Sequence, residues 1–224
     1  MSDFVTFISL RGVTNAAALG TLVHLMTQHG HVRLADVLSG ATHPPAGDRE
    51  FGLGAANGWL TIIVPEPFET LAADLSRLLG APAFMFHLHE GGSWLYWLFV
   101  NGRPVDHFDS EPALWEDSST AEMAESAGNP VVLALELGVD AADLAPYLTR
   151  SEAWPPDQSE EYDVVDRAME LLDKDARVHR DDRFDVWDAR VMYDFMRRLG
   201  IEPPLNPDGS VSQPLTLVRF EPTL

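Results

Sequence analysis

Two short repeats of chemistry-bearing residues stand out in the chain. His87-x-His89 and His107-x-Asp109 each space two polar, ligand-capable side chains two residues apart, with Trp94 and Tyr96 between them in sequence. On a β-strand, residues i and i+2 share a face about 7 Å apart in Cα. Three imidazoles and a carboxylate on one sheet face suit a divalent ion such as zinc. The same groups with two aromatic rings suit the wall of a small-molecule pocket, where titratable groups can also serve as acid and base. Against the metal stands distance, because strands separated by a third lie about 9.6 Å apart. No metal and no cofactor is therefore expected. The competing structural reading is a partly wet sheet face with hydrogen-bonded histidines.

These residues fall in a long apolar stretch, about residues 83–109, interrupted by Gly91-Gly92 and Asn101-Gly102. Asn-Gly favours the positive φ of a type I′ turn, so the stretch reads as a three-strand antiparallel meander. With two-residue turns at both places, His89 faces Trp94, His87 faces Tyr96, Tyr96 faces His107 and Trp94 faces Asp109. Phe86, Leu88, Leu95, Trp97, Phe99 and Phe108 then form the opposite, apolar face. His87, His89, Trp94, Tyr96, His107 and Asp109 are the candidate ligand-binding group.

The remaining elements must support this meander. Phe4 to Leu10 alternates as a strand, and a second Asn-Gly at Asn57-Gly58 marks a hairpin over Glu50 to Val64. Thr14 or Asn15 caps a helix to about Gln28. A second helix runs from Pro67 to Leu79, with Phe68, Leu71, Leu75, Leu78 and Leu79 on its buried side. Further on, Val131 to Leu137 reads as a strand, and Asp157 opens a helix burying Val164, Val165, Ala168, Leu171 and Leu172. Val186 to Leu199 reads as the clearest helix of all. Leu215 to Phe220 is a last strand, which Pro214 directs to a sheet edge. The predicted fold is α+β: a mainly antiparallel sheet with a central meander covered by helices, plus a helical, acidic C-terminal part. The expected organisation is an α+β sheet domain over residues 1–150 with a helical subdomain over residues 151–224 packed on it, or a single domain overall.

Charge and composition narrow the function. The chain of 224 residues carries a net charge of −20, and residues 106–188 hold 23 Asp/Glu against 6 Lys/Arg. Such a field repels nucleic-acid phosphate and anionic membranes and attracts basic proteins. A small basic patch, Arg190, Arg197 and Arg198, runs against this trend. Cysteine is absent, which removes disulfides, thiolate ligands and Cys nucleophiles together. Fourteen Arg to one Lys suggests a GC-rich, bacterial genome, and the N-terminus lacks a basic, apolar leader, so a cytoplasmic protein is expected. No nucleophile elbow, phosphate-binding loop or HExxH helix occurs. The leading expectation is a non-catalytic protein-interaction module of regulatory or toxin-neutralising type with a basic protein partner. The alternative is a small-molecule or metal-binding protein, or a hydrolase, working from the His87/His89/His107/Asp109 face.

Overall fold

The computed structural model describes residues 4–29, 32–65, 69–89, 92–112, 125–150 and 176–223. Eight strands form one antiparallel sheet: β1 (Val5–Arg11), β2 (Val32–Ala41), β3 (Glu50–Ala56), β4 (Trp59–Val64), β5 (Ala83–His89), β6 (Ser93–Val100), β7 (Arg103–Asp109) and β8 (Leu215–Pro222), in the order β2-β8-β3-β4-β1-β5-β6-β7. Helices α1 (Asn15–His29) and α2 (Glu69–Leu79) cover one face. Helices α3 (Pro130–Leu137), α4 (Ala141–Leu144) and α5 (Val191–Arg198) lie on the other.

β1 is central because it can be buried on both sides. Ile8 and Leu10 join the α1/α2 core with Leu60, Ile62 and Met85, while Phe7 packs opposite with Phe86 and Tyr193. Its two buried hydroxyls are satisfied sideways, Ser9 by Thr61 at 2.9 Å and Thr6 by His87 at 2.8 Å. The two Asn-Gly turns form as expected, with φ of 54° and 79° at Asn57-Gly58 and 52° and 77° at Asn101-Gly102.

Several expectations are corrected. Residues 131–137 form α3 and not a strand. The Asn129 side chain accepts from the N–H groups of Val131 and Val132, Pro130 takes a first-turn position, and Gly138 closes the helix in the left-handed region. β8 is no edge strand, since it pairs with β3 on one side and β2 on the other. Pro214 immediately precedes the strand, where its missing N–H removes no ladder bond. The edge on that side belongs to β2, which the pattern does not reveal. Leu78 points outward from α2, and α5 begins at Val191, five residues after the expected start. The proposed helix after Asp157 and the ring of Phe68 lie outside the described residues.

Candidate functional site

The candidate group divides between the two faces of the sheet. His89 faces Ser93 and His87 faces Leu95, so residues 90–92 make a three-residue connection where two were expected, with the Gly92 N–H donating to the His89 carbonyl at 3.0 Å. This one-residue shift turns β6 over relative to β5. A second shift follows in β7. Leu98 faces Asp106 while Phe99 faces Pro104, leaving Val105 as a bulged residue. His107 therefore faces Trp97, and Asp109 faces Leu95. His87, His89, His107 and Asp109 stay together on the α1/α2 side. Trp94 and Tyr96 join Phe86, Leu98 and Phe108 in the opposite core.

The four groups that share a face do not converge. Leu95 stands between His87 and Asp109, and Trp97 between Met85 and His107. The His107 ring lies flat on Trp97, with centroids 3.7 Å apart and planes within 11°. His87 is spent on Thr6, and His89 meets Phe4 edge-on at 4.8 Å. The Asp109 carboxylate accepts from the Glu111 N–H at 2.8 Å, closing a local turn at the end of β7. Among the described residues no three His, Asp or Glu side chains are placed to hold a metal ion. Metal analysis of protein purified without chelator should accordingly show well below one zinc per chain, and a stoichiometric ion lost in His87→Ala would reverse that expectation.

The electrostatics favour neutral imidazoles. Burial lowers the pKa of His87 to about 4, with His89 adding to the effect. Burial also lowers that of His107 to about 4, helped by the Arg150 guanidinium. Thr6 and His87 have the spacing of a hydroxyl nucleophile and its base. Their solvent exposures of 3% and 6% leave no room for a substrate, and an imidazole of such low basicity is a poor general base at neutral pH. The pair ties β1 to β5.

On the other face Tyr96 donates to Asp106 at 2.6 Å, and the Asn129 N–H reaches the same carboxylate at 3.2 Å. Burial raises both pKa values, most strongly that of the phenol. This contact joins the meander to the cap of α3. The basic patch is likewise absorbed locally: Arg190 pairs with Asp188, Arg197 with Asp194, and Arg198 with Asp181 and Asp182.

Described residues line the following hollows. An open one of about 400 Å³ lies between Arg183, Phe184, Arg190, Asn206, Pro207 and Asp208, where Arg190 sits 4.8 Å over the Phe184 ring. A smaller cleft of about 80 Å³ opens where β6 begins and β7 ends, lined by Gly92, Trp94, Ser110, Glu111, Thr149, Val186, Trp187 and Ala189. Of the sequence candidates only Trp94 reaches it. Glu111, Thr149 and Trp187 come from separate parts of the chain, and no local spacing announces their meeting.

Compared with known proteins, the chain matches no family model, no curated protein and no solved structure. The class of molecule is therefore set by fold and surface alone: an α+β protein built on an eight-stranded antiparallel sheet with helices on both faces. No described helix is long and apolar enough to cross a membrane.

Proposed function

We propose that this protein is a non-catalytic interaction module that binds a basic protein partner, in the manner of a regulatory or toxin-neutralising factor, in a bacterial cytoplasm. The observation that carries the reading is the outer side of α3. Val131 and Leu135, one helical turn apart, are 57% and 79% exposed, and Glu136, Asp140 and Asp143, which follow within eight residues of Leu135, are exposed as well. A leucine left in water forgoes about 1.5–3 kcal/mol of burial. Set among carboxylates in a chain of net charge −20, this apolar pair suits a basic, amphipathic surface. The long-range field would speed encounter, and the apolar pair would hold the complex.

The alternative, a ligand or metal site or a hydrolase on the His87/His89/His107/Asp109 face, draws less support. Its members are separated by Leu95 and Trp97, and His87 is committed to a buried threonine. The test uses a basic amphipathic helical peptide with leucines at i, i+4 as the probe. Its affinity for the full chain should fall about tenfold or more between low and physiological salt. Leu135→Glu should weaken binding by about tenfold or more while leaving the melting temperature unchanged, because the side chain is already in water. Salt-independent binding, or full affinity in the Leu135→Glu protein, would refute the reading.

A further inference from the structure

We infer that the cleft between Trp94, Trp187 and Glu111 is an anchoring socket for a guanidinium group, supplied by an arginine side chain of the partner. The inference rests on the interaction reading above and adds a specific site to it.

Four observations converge on this chemistry. First, Glu111 lines the cleft and its carboxylate has no hydrogen bond or ion pair to any described residue, although its own N–H is held by Asp109 at 2.8 Å. Second, that carboxylate is partly withdrawn from water, and burial together with the neighbouring Asp109 raises its pKa, so an incoming cation offsets the repulsion and favours the charged form. Third, two indoles line the space, and a guanidinium is drawn to aromatic faces as well as to carboxylates. Fourth, the scale of the cleft fits. A volume of about 80 Å³ admits a handful of heavy atoms, the scale of a guanidinium with its last methylenes. An anion would instead be repelled by Glu111 and the neighbouring Asp109.

The hydroxyls complete the match. Ser110 Oγ accepts the Trp94 N–H at 2.9 Å, which fixes the rim where β6 starts. Thr149 donates to the Pro146 carbonyl at 2.8 Å, so its oxygen lone pairs are left to accept from a donor in the cleft. Arginine carries donors and no acceptor, the complement of a carboxylate and a threonine oxygen. Among the described residues, no arginine or lysine lines the space.

The experiment compares N-acetyl-arginine amide with N-acetyl-citrulline amide, its neutral isostere, on the full chain, followed by tryptophan fluorescence and by amide shifts of Gly92, Ser110 and Glu111. The arginine probe should bind in the millimolar range, with the citrulline probe at least tenfold weaker. Glu111→Gln, nearly isosteric and partly exposed, should lose at least tenfold in affinity for the arginine probe with unchanged melting. Trp187→Leu should lose a smaller factor. Equal binding of the two probes, or full arginine affinity in Glu111→Gln, overturns the socket. If the amphipathic basic peptide still binds Glu111→Gln with wild-type affinity and salt dependence, the socket is wrong and the broader interaction reading stands. If neither probe class binds the wild-type chain, both fall.

Discussion

Replacing Asp194 by alanine should lower the stability of the fold by about 3–5 kcal/mol, read as a shift in the urea midpoint without change of slope. Asp194 lies in the first turn of α5 and is almost fully buried. One carboxylate oxygen accepts the N–H groups of both Arg183 and Phe184, at 2.8 and 3.0 Å, and the other meets Arg197 at 3.2 Å. Truncation would strand two backbone donors and leave a partly buried guanidinium without its closest partner, and each such loss costs on the order of 1–3 kcal/mol. Asp194→Asn should fall between wild type and alanine, because the amide oxygen can still serve the two N–H groups while the charge is gone. Asp188→Ala is the internal comparison. It breaks a shorter pair with Arg190, at 2.6 Å, and a bond from the Arg190 N–H at 2.9 Å, but that arginine is half exposed and water replaces much of what is lost, at a cost of about 1–2 kcal/mol. If the two alanine variants were equally destabilising, burial would not be setting the strength of these pairs.

Asp194 and Asp182 together hold residues 176–190 onto α5. Asp182 gathers the Tyr147 hydroxyl at 2.7 Å, the His179 N–H at 2.9 Å and Arg198 at 2.9 Å. The charged run DKDARVHRDDRFD thus contributes in its second half one buried carboxylate, Asp182, that organises loop backbone. Composition alone does not separate the two kinds of aspartate. Asp181 is exposed and Asp182 buried, and the difference comes from which side of the chain meets Tyr147.

The parts of the fold that were legible in the sequence are those decided locally. Asn57-Gly58 and Asn101-Gly102 place their hairpins because so few residue pairs accept positive φ twice in succession. Thr14 and the apolar spacing after it place α1, with the Thr14 hydroxyl accepting the Ala17 N–H at 3.3 Å. What escaped was decided elsewhere. β2 carries irregularities between Leu34 and Asp36 and between Ser39 and Ala41, and each breaks the period of two by which a strand is recognised. β8 inserts between β2 and β3 through contacts more than 150 residues distant in sequence, which no local pattern encodes. In α3, Val-Val and alternating apolar residues imitate a strand, and the deciding signals were the caps at Asn129 and Gly138.

The candidate site suffered most from these non-local decisions. One residue more in the β5–β6 connection and one bulge at Val105 were enough to divide a six-residue group between two faces. Gly-Gly tolerates many turn geometries, so it does not dictate register as Asn-Gly does. The aromatic members went to the core, where Tyr96 keeps its hydroxyl satisfied by Asp106. The histidines stayed on the other side, where His87 and His107 are structural groups of low basicity.

That low basicity makes acid the second informative perturbation. An ordinary histidine titrates near 6.5, whereas His87 in the fold is lowered to about 4, chiefly by burial. Between these values the unfolded chain binds a proton that the folded chain refuses. The contribution of His87 is therefore fully present above about pH 6.5 and is lost as pH falls toward 4. By pH 4.5 the loss should reach roughly 2–3 kcal/mol, and His107 should add to it in the same window. A chain of net charge −20 also gains from acid, because protonating surface carboxylates relieves repulsion, and the raised pKa of Asp106 works in the same direction. The comparison with His87→Gln separates the effects, since glutamine can still bond to the Thr6 hydroxyl but cannot titrate. Urea unfolding of both proteins from pH 8 to pH 4.5 should show wild type losing about 2–3 kcal/mol relative to the variant as the pH falls, with no further drift above pH 7. A gap that stayed constant across the range would mean that His87 takes up its proton as easily in the fold as outside it, and that its burial against Thr6 does not control its charge.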